Sequence, residues 1–358
     1  MTTVALGMPF PSTGSSNGVP GRDPVRPQTS RLVDSHGRTA TDLRISLTDK
    51  CNLRCTYCMP AEGLDWMADT ELLTREEIGR LVAIAVTTMG VDEVRFTGGE
   101  PLLRRDLAGI LADAAALSPR PELSLTTNGL GLQRKAAALK AAGLDRVNVS
   151  LDTVDRERFA AITRRDRLQD VLDGMAAAQA VGLAPVKVNA VLQRGLNDDE
   201  APGLLQLCLD HGYELRIIEQ MPLDAQHGWS RDTMVTAEEI LASLSTRFAL
   251  TPATEPRGAA PAERWLVDGG PATVGVIASV TRPFCGDCDR TRLTADGQIR
   301  SCLFANGETD LRALLRGGAD DREIAERWQD AMWVKLPGHG INDPSFLQPT
   351  RPMSAIGG

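Results

Sequence analysis

From about residue 42 the chain alternates short, β-branched apolar runs with longer stretches whose apolar residues recur every three to four positions. LRISL (43–47), DEVRFT (92–97), ELSLTT (122–127), DRVNVSL (145–151), PVKVNAV (185–191) and YELRIIE (213–219) predict strands. The stretches between them predict helices. TREEIGRLVAIAVTTMG opens with Thr74 and carries Glu77 three positions on, the pattern of a capping box. Gly90, Gly143, Gly182 and Gly212 stand where four helices should stop before the next strand, in the left-handed conformation such short loops need.

Six strand–helix units in a row predict an α/β fold with a parallel sheet, open or curled into a barrel. Either way, ligands gather at the carboxyl ends of the strands. Three cysteines follow the first predicted strand, and Gly98, Gly99 and Glu100 follow the second. Thr126, Ser150, Lys187 and Met221 fall in or just after later ones. Beyond about residue 235 the rhythm breaks into a Thr236/Glu239-capped helix, a Pro/Gly/Ala-rich stretch, short β-like runs and a tail. The expected organisation is a disordered leader over 1–35, a barrel over 36–235 and a smaller C-terminal unit over 236–358. The leader is rich in Gly, Pro, Ser and Thr and lacks the apolar stretch of a secretory signal.

A net charge of −8 argues against nonspecific binding to nucleic acid or anionic lipid. No apolar run is long enough to span a bilayer, so a cytoplasmic protein is expected. Six of the seven cysteines fall in two tight groups, which suggests metal or cluster ligation in a reducing compartment rather than disulfides. Cys208, in LLQLCLDHG, reads as a core residue.

Cys51-x3-Cys55-x2-Cys58 also has the spacing of a buried helical stripe, and structural zinc is a second alternative. Zinc needs a fourth ligand, and the four histidines are distant in sequence from both groups. A four-iron cluster held by three thiolates instead leaves one iron open to a small molecule. Cys285-x2-Cys288-x13-Cys302 repeats the pattern of three ligands without a fourth.

The CxxxCxxC group after the first strand, with GGEP (Gly98–Pro101) after the second, resembles the radical S-adenosylmethionine (SAM) superfamily. There the amino and carboxylate groups of SAM bind the open iron, and the reduced cluster cleaves the sulfonium to a 5′-deoxyadenosyl radical. Paired glycines would let backbone carbonyls approach the SAM ammonium. A narrower resemblance, to the GTP 3′,8-cyclase family that begins molybdenum cofactor biosynthesis, runs from about residue 31 to the end. It is carried by LRISLTDKCNLRCTYCMP, VRFTGGEPLLR, LTTNG, VNVSLD, the second cysteine group and the terminal Gly357-Gly358. The resemblance implies an incomplete parallel (βα)6 barrel with a smaller C-terminal α+β unit that carries a second cluster.

By that resemblance Cys51, Cys55 and Cys58 hold one [4Fe-4S] cluster, and Tyr57, Gly99, Ser150 and Met221 line the SAM site. Cys285, Cys288 and Cys302 hold a second, whose open iron takes the guanine base. Arg44, Arg95, Thr126, Lys187, Arg290, Thr291 and Arg292 match the positions for GTP, and Gly357 and Gly358 are expected to enter the catalytic pocket. The implied radical takes hydrogen from C3′ of the ribose, and the carbon radical attacks C8 of the guanine. Arg44 and Arg95 stand out without the resemblance, since each lies inside an apolar strand where a guanidinium needs an anionic partner. Asp289 departs from the asparagine commoner in the family.

Implied partners are GTP, an external one-electron donor of flavodoxin or ferredoxin type, and the next enzyme of the pterin pathway as product acceptor. Oligomeric state stays open, a homodimer included. The rival readings are a radical SAM enzyme acting on a peptide or another nucleotide, and a zinc or iron–sulfur module without enzymatic activity.

Overall fold

The computed structural model describes residues 23–357. Strands β1 (Leu32–Val33) and β2 (Thr39–Ala40) form a small antiparallel hairpin. The predicted barrel strands follow as β3 (Asp42–Ser46), β4 (Glu93–Thr97), β5 (Glu122–Thr127), β6 (Arg146–Ser150), β7 (Val186–Leu192) and β8 (Glu214–Glu219). They pair in sequence order, each parallel to the next. The capping box at Thr74 is formed, and Gly90, Gly143, Gly182 and Gly212 all have positive φ where their helices end.

The later strands are β9 (Leu250–Pro252), β10 (Glu263–Val267), β11 (Thr273–Ile277), β12 (Arg290–Leu293), β13 (Gln298–Arg300) and β14 (Thr309–Asp310). Two of them join the barrel sheet in parallel at its opposite edges, β11 beside β8 and β12 beside β3. Antiparallel β10 and β9 then extend one edge, and β13 and β14 the other. The two ends of this 12-stranded sheet do not meet, so the barrel is incomplete.

Strand alternation sorts the barrel into two faces. Leu43, Ile45, Val94, Phe96, Leu123, Leu125, Val147 and Val149 point outward and are buried beneath the helices. The residues between them, including Arg44, Arg95, Thr126, Ser150 and Arg216, line a cavity. A closed barrel of this kind fills its interior with branched apolar side chains. Here most of the inward positions are polar, and the interior becomes a site.

Of the expected disordered leader, residues 1–22 lie outside the described residues. Residues 23–35 differ from that expectation: β1 lies in this stretch, and Arg26 is buried with Gln329 at 2.6 Å and Asp330 at 3.0 Å. Composition alone did not register these long-range partners.

Glu219, at the end of β8, is fully buried. It accepts from the amides of Ala237, Val280 and Thr281 at 2.8, 2.8 and 2.9 Å, and from the Thr281 hydroxyl. One carboxylate thus ties the helix after β8 and the turn after β11 to the barrel. Glu219→Ala should leave three amides without acceptors and cost about 3 kcal/mol or more, with Glu219→Gln milder. Denaturant midpoints of the reconstituted protein check this; an unshifted midpoint for Glu219→Ala would show the brace to be dispensable.

Candidate active site

The loop after β3 carries the first cysteine trio. It is pinned from outside by Arg164, whose Nη1 donates to the carbonyls of Arg54 at 2.7 Å and Met59 at 3.1 Å. It is pinned from inside by the paired glycines. The Gly99 amide donates to Thr48 O at 2.6 Å, and a Cβ on Gly99 would lie 2.3 Å from Asp49 O and 2.4 Å from Lys50 O. Glycine is therefore required here for contact with the cysteine loop itself, a second reason beside room for a ligand. Glu100 is buried beneath them and accepts from the Leu102 and Asn128 amides and the Thr127 hydroxyl. Burial raises its carboxyl to about 7.

Cys51 Sγ accepts from the Leu53 amide at 3.4 Å and from Asn128 Nδ2 at 3.7 Å. Burial pushes all three thiols up, Cys58 to about 12, and Asp152 pushes Cys55 further. Such sulfurs become thiolates only when positive charge is supplied, as an iron–sulfur core supplies it. Among the described residues no three His, Cys, Asp or Glu side chains are gathered as ligands of one metal ion. The fit to a cluster therefore rests on the donor chemistry and on the shared cavity.

The second trio sits opposite. Cys285 and Cys288 occupy the turn before β12, and Cys302 follows β13. Burial alone would raise the Cys288 thiol, but Arg290 and Lys335 outweigh it and hold it at about 7. Phe284 lies beneath the guanidinium groups of Arg257 and Arg290, 4.8 and 5.0 Å from its ring centre. All six cysteines line one cavity of about 330 Å³, a small-molecule size. No disulfide links any of the seven.

Between the trios lies a band of buried arginines. Parallel pairing places Arg95 beside Arg44 and Arg44 beside Arg292, across β4, β3 and β12. Burial and like-charged neighbours lower Arg44 to about 9 and Arg292 to about 10, with Asp42 opposing the fall for both. Arg216 on β8 is lowered to about 10 by burial and by Arg95.

Of the residues singled out in the sequence, the six cysteines, Tyr57, Gly99, Thr126, Ser150, Met221, Arg44, Arg95, Arg290 and Arg292 line this cavity. The Tyr57 hydroxyl donates to Asp152 Oδ2 at 2.8 Å. Gly357 reaches the interior, where its carbonyl accepts from Arg292 Nη1 at 2.8 Å. Its φ of +83° and a Cβ position 2.7 Å from Thr97 Cγ2 both require glycine. Gly358 lies outside the described residues.

Two expected contacts differ. Thr291 is fully buried on the outer face and accepts from Trp328 Nε1 at 3.0 Å, because alternation turns it away from its neighbours Arg290 and Arg292. Lys187 sits at the amino end of β7, 3.5 Å from Glu214, and is not in the cavity lining. Burial, then Arg216, lowers it to about 8. Asp289 lies 3.7 Å from Arg290, and burial raises its carboxyl.

Sequence reasoning missed Arg216, Asn128, Asp152 and Lys335. Arg216 carried a usable signal, a lone cation inside an apolar strand, the same that marked Arg44 and Arg95. Asn128 and Asp152 stand within the LTTNG and VNVSLD motifs, and Lys335 is recognisable only by what it touches.

The radical SAM superfamily matches residues 45–208, and the family Molybdenum Cofactor Synthesis C matches residues 213–341. A Streptomyces coelicolor protein named GTP 3′,8-cyclase is 69% identical over 328 residues, 91% of this chain and 96% of its own. A Mycolicibacterium smegmatis protein of the same name is 62% identical over the whole of both chains. Among solved structures, Streptococcus suis SuiB bound to precursor peptide SuiA superimposes with a TM-score of 0.55 at 13% identity, over 86% of this chain and 65% of that one. This last likeness shows the fold alone.

Gly99→Ala should push the cysteine loop outward. After anaerobic reconstitution the variant is expected to lose most of the iron of the first trio while keeping its far-ultraviolet circular dichroism. Full iron content would show that the loop yields without losing its ligands.

Proposed function

The chain belongs to the GTP 3′,8-cyclase family of the radical SAM superfamily, and from that membership we propose how its cavity works. The protein converts GTP to (8S)-3′,8-cyclo-7,8-dihydroguanosine 5′-triphosphate, the first step of molybdenum cofactor biosynthesis, and uses SAM and an iron–sulfur cluster. The observation that carries the site assignment is that both incomplete cysteine trios and the arginine band line one cavity.

In this reading Cys51, Cys55 and Cys58 hold the cluster that binds SAM, with Tyr57, Gly99, Ser150 and Met221 around it. Cys285, Cys288 and Cys302 hold a second [4Fe-4S] cluster on the guanine side. The bound cofactors supply the 5′-deoxyadenosyl radical chemistry that joins C3′ to C8. The chain's own residues fix the substrate. Arg44, Arg95, Arg216, Arg290 and Arg292 present buried positive charge to the triphosphate, and Thr126 offers a hydroxyl on the same face. Lys187 and Thr291 act one step removed, Lys187 beside Arg216 and Thr291 by anchoring β12 to Trp328. Gly357 holds Arg292, and the catalytic role extends to Gly358, which lies outside the described residues. Holding both ligands on opposite walls of one small cavity gives the proximity a short-lived radical needs.

The barrel over 36–235 carries the SAM cluster and four of the GTP-facing side chains, Arg44, Arg95, Thr126 and Arg216, and the unit over 236–358 carries the second cluster with Arg290 and Arg292. No helix among the described residues is long and apolar enough to cross a membrane. A cytoplasmic setting, an external flavodoxin- or ferredoxin-type donor and transfer of product to the next pterin enzyme complete the proposal.

Anaerobically reconstituted protein incubated with SAM, dithionite and GTP should yield the cyclised triphosphate and 5′-deoxyadenosine. SAM cleavage without a cyclised purine would favour a peptide or another nucleotide as substrate. Arg216→Ala should raise the KM for GTP roughly 10- to 150-fold, the loss of a charged hydrogen bond of about 1.5–3 kcal/mol; an unchanged KM would remove Arg216 from the site. Deleting Gly357 and Gly358 should abolish cyclisation at unchanged iron content, and unchanged product formation would reject their role.

A further inference from the structure

The two trios differ in what surrounds their sulfurs. In the first, Cys51 accepts only neutral donors, the Leu53 amide and the Asn128 side chain. Arg54 acts on Cys51 without a hydrogen bond to its sulfur, and the carboxylates Asp152 and Asp224 act on Cys55 and Cys58. In the second, two cations converge on one sulfur. Cys288 Sγ accepts from Arg290 Nε at 3.3 Å and from Lys335 Nζ at 3.3 Å.

Lys335 is only 3% exposed. Its ammonium also donates to the carbonyls of Cys288 at 3.1 Å and Arg290 at 2.9 Å. An ammonium has three protons, and these go to two carbonyls and a sulfur, none to a carboxylate. Burying such a charge is unfavourable unless negative charge lies beside it. A thiolate-ligated cluster is the negative charge that this arrangement fits.

We propose that Lys335 is a positioning residue for the second cluster, holding Cys288 in place and setting that cluster's reduction potential above the potential of the first. This rests on the reading that Cys285, Cys288 and Cys302 hold an iron–sulfur cluster. Reduction adds an electron, hence negative charge, and hydrogen bonds from cations to a ligand sulfur stabilise the reduced form. The first trio lacks such donors, so its cluster remains the stronger reductant. As the external donor delivers electrons one at a time, the second cluster fills before the first.

The test is an electron-paramagnetic-resonance redox titration of the anaerobic holoenzyme, with SAM used to mark the first signal and GTP the second. The wild type should hold about eight irons, and its second signal should appear at the more positive potential. K335Q, which keeps amide donors but removes the charge, should shift the second signal to a more negative potential and lower iron retention in that site. K335R, which keeps the charge, should stay near the wild type. In both variants the first signal serves as the folding control and should not move. Coincident wild-type and K335Q potentials, or equal shifts of both signals, would overturn the proposal. About four irons and a single signal in the wild type would instead sink the two-cluster reading on which it stands.

Discussion

Positive charge buried in register is the constraint on which the barrel interior depends. Arg95, Arg44 and Arg292 hold neighbouring places on three adjacent strands, and Arg216 joins them from β8. Like charges set opposite one another destabilise a sheet, and burial weakens each charged form further. The close acids are Glu93, 2.6 Å from Arg95, and Asp42, 3.3 Å from Arg44. Burial opposes the charge of Asp42, yet Arg44 and the other arginines together hold its carboxyl below the usual range. Two carboxylates do not balance these four arginines. A multiply charged anion does, so a nucleoside triphosphate suits the chemistry of the inner face.

The same register places the reacting groups. β12 pairs with β3, and the loop after β3 launches the first trio while the turn before β12 carries two cysteines of the second. The relation between the trios is therefore fixed by one ladder of backbone hydrogen bonds rather than by flexible loops. Sheet ladders hold their register because a one-residue slip would turn every side chain to the opposite face. Here a slip in β12 would send Arg290 and Arg292 outward and bring Thr291 in. Precision in the site follows from the pairing of a late strand with an early one.

That pairing also marks the limit of what could be read in the sequence. The six barrel strands, the Thr74 cap and the glycine stops were legible because each is a local pattern. The cysteine trios and GGEP were legible because spacing alone carries chemistry. Joining β11 and β12 to opposite barrel edges involves residues far apart in the chain, and periodicity does not register it. The same holds for Lys335, whose importance lies wholly in its contact with Cys288, and for Arg26, packed against Gln329. Thr291 shows a third case: adjacent residues of a strand face opposite ways, so a run of matching positions is not one contact surface.

The tail illustrates how backbone can serve where a side chain would fail. Ile356 is fully buried among Leu223, Val280 and Phe304, and Arg351 pairs with Asp296 at 2.8 Å and Glu308 at 2.9 Å. These contacts bring Gly357 to Arg292, where a side chain would collide with Thr97. The glycine carbonyl carries no formal charge, so it orients the guanidinium without neutralising it. A carboxylate at the same place would close the ion pair and compete with any anion entering the cavity. A carbonyl accepts one hydrogen bond from Arg292 and leaves its charge, and its remaining donors, for an anion.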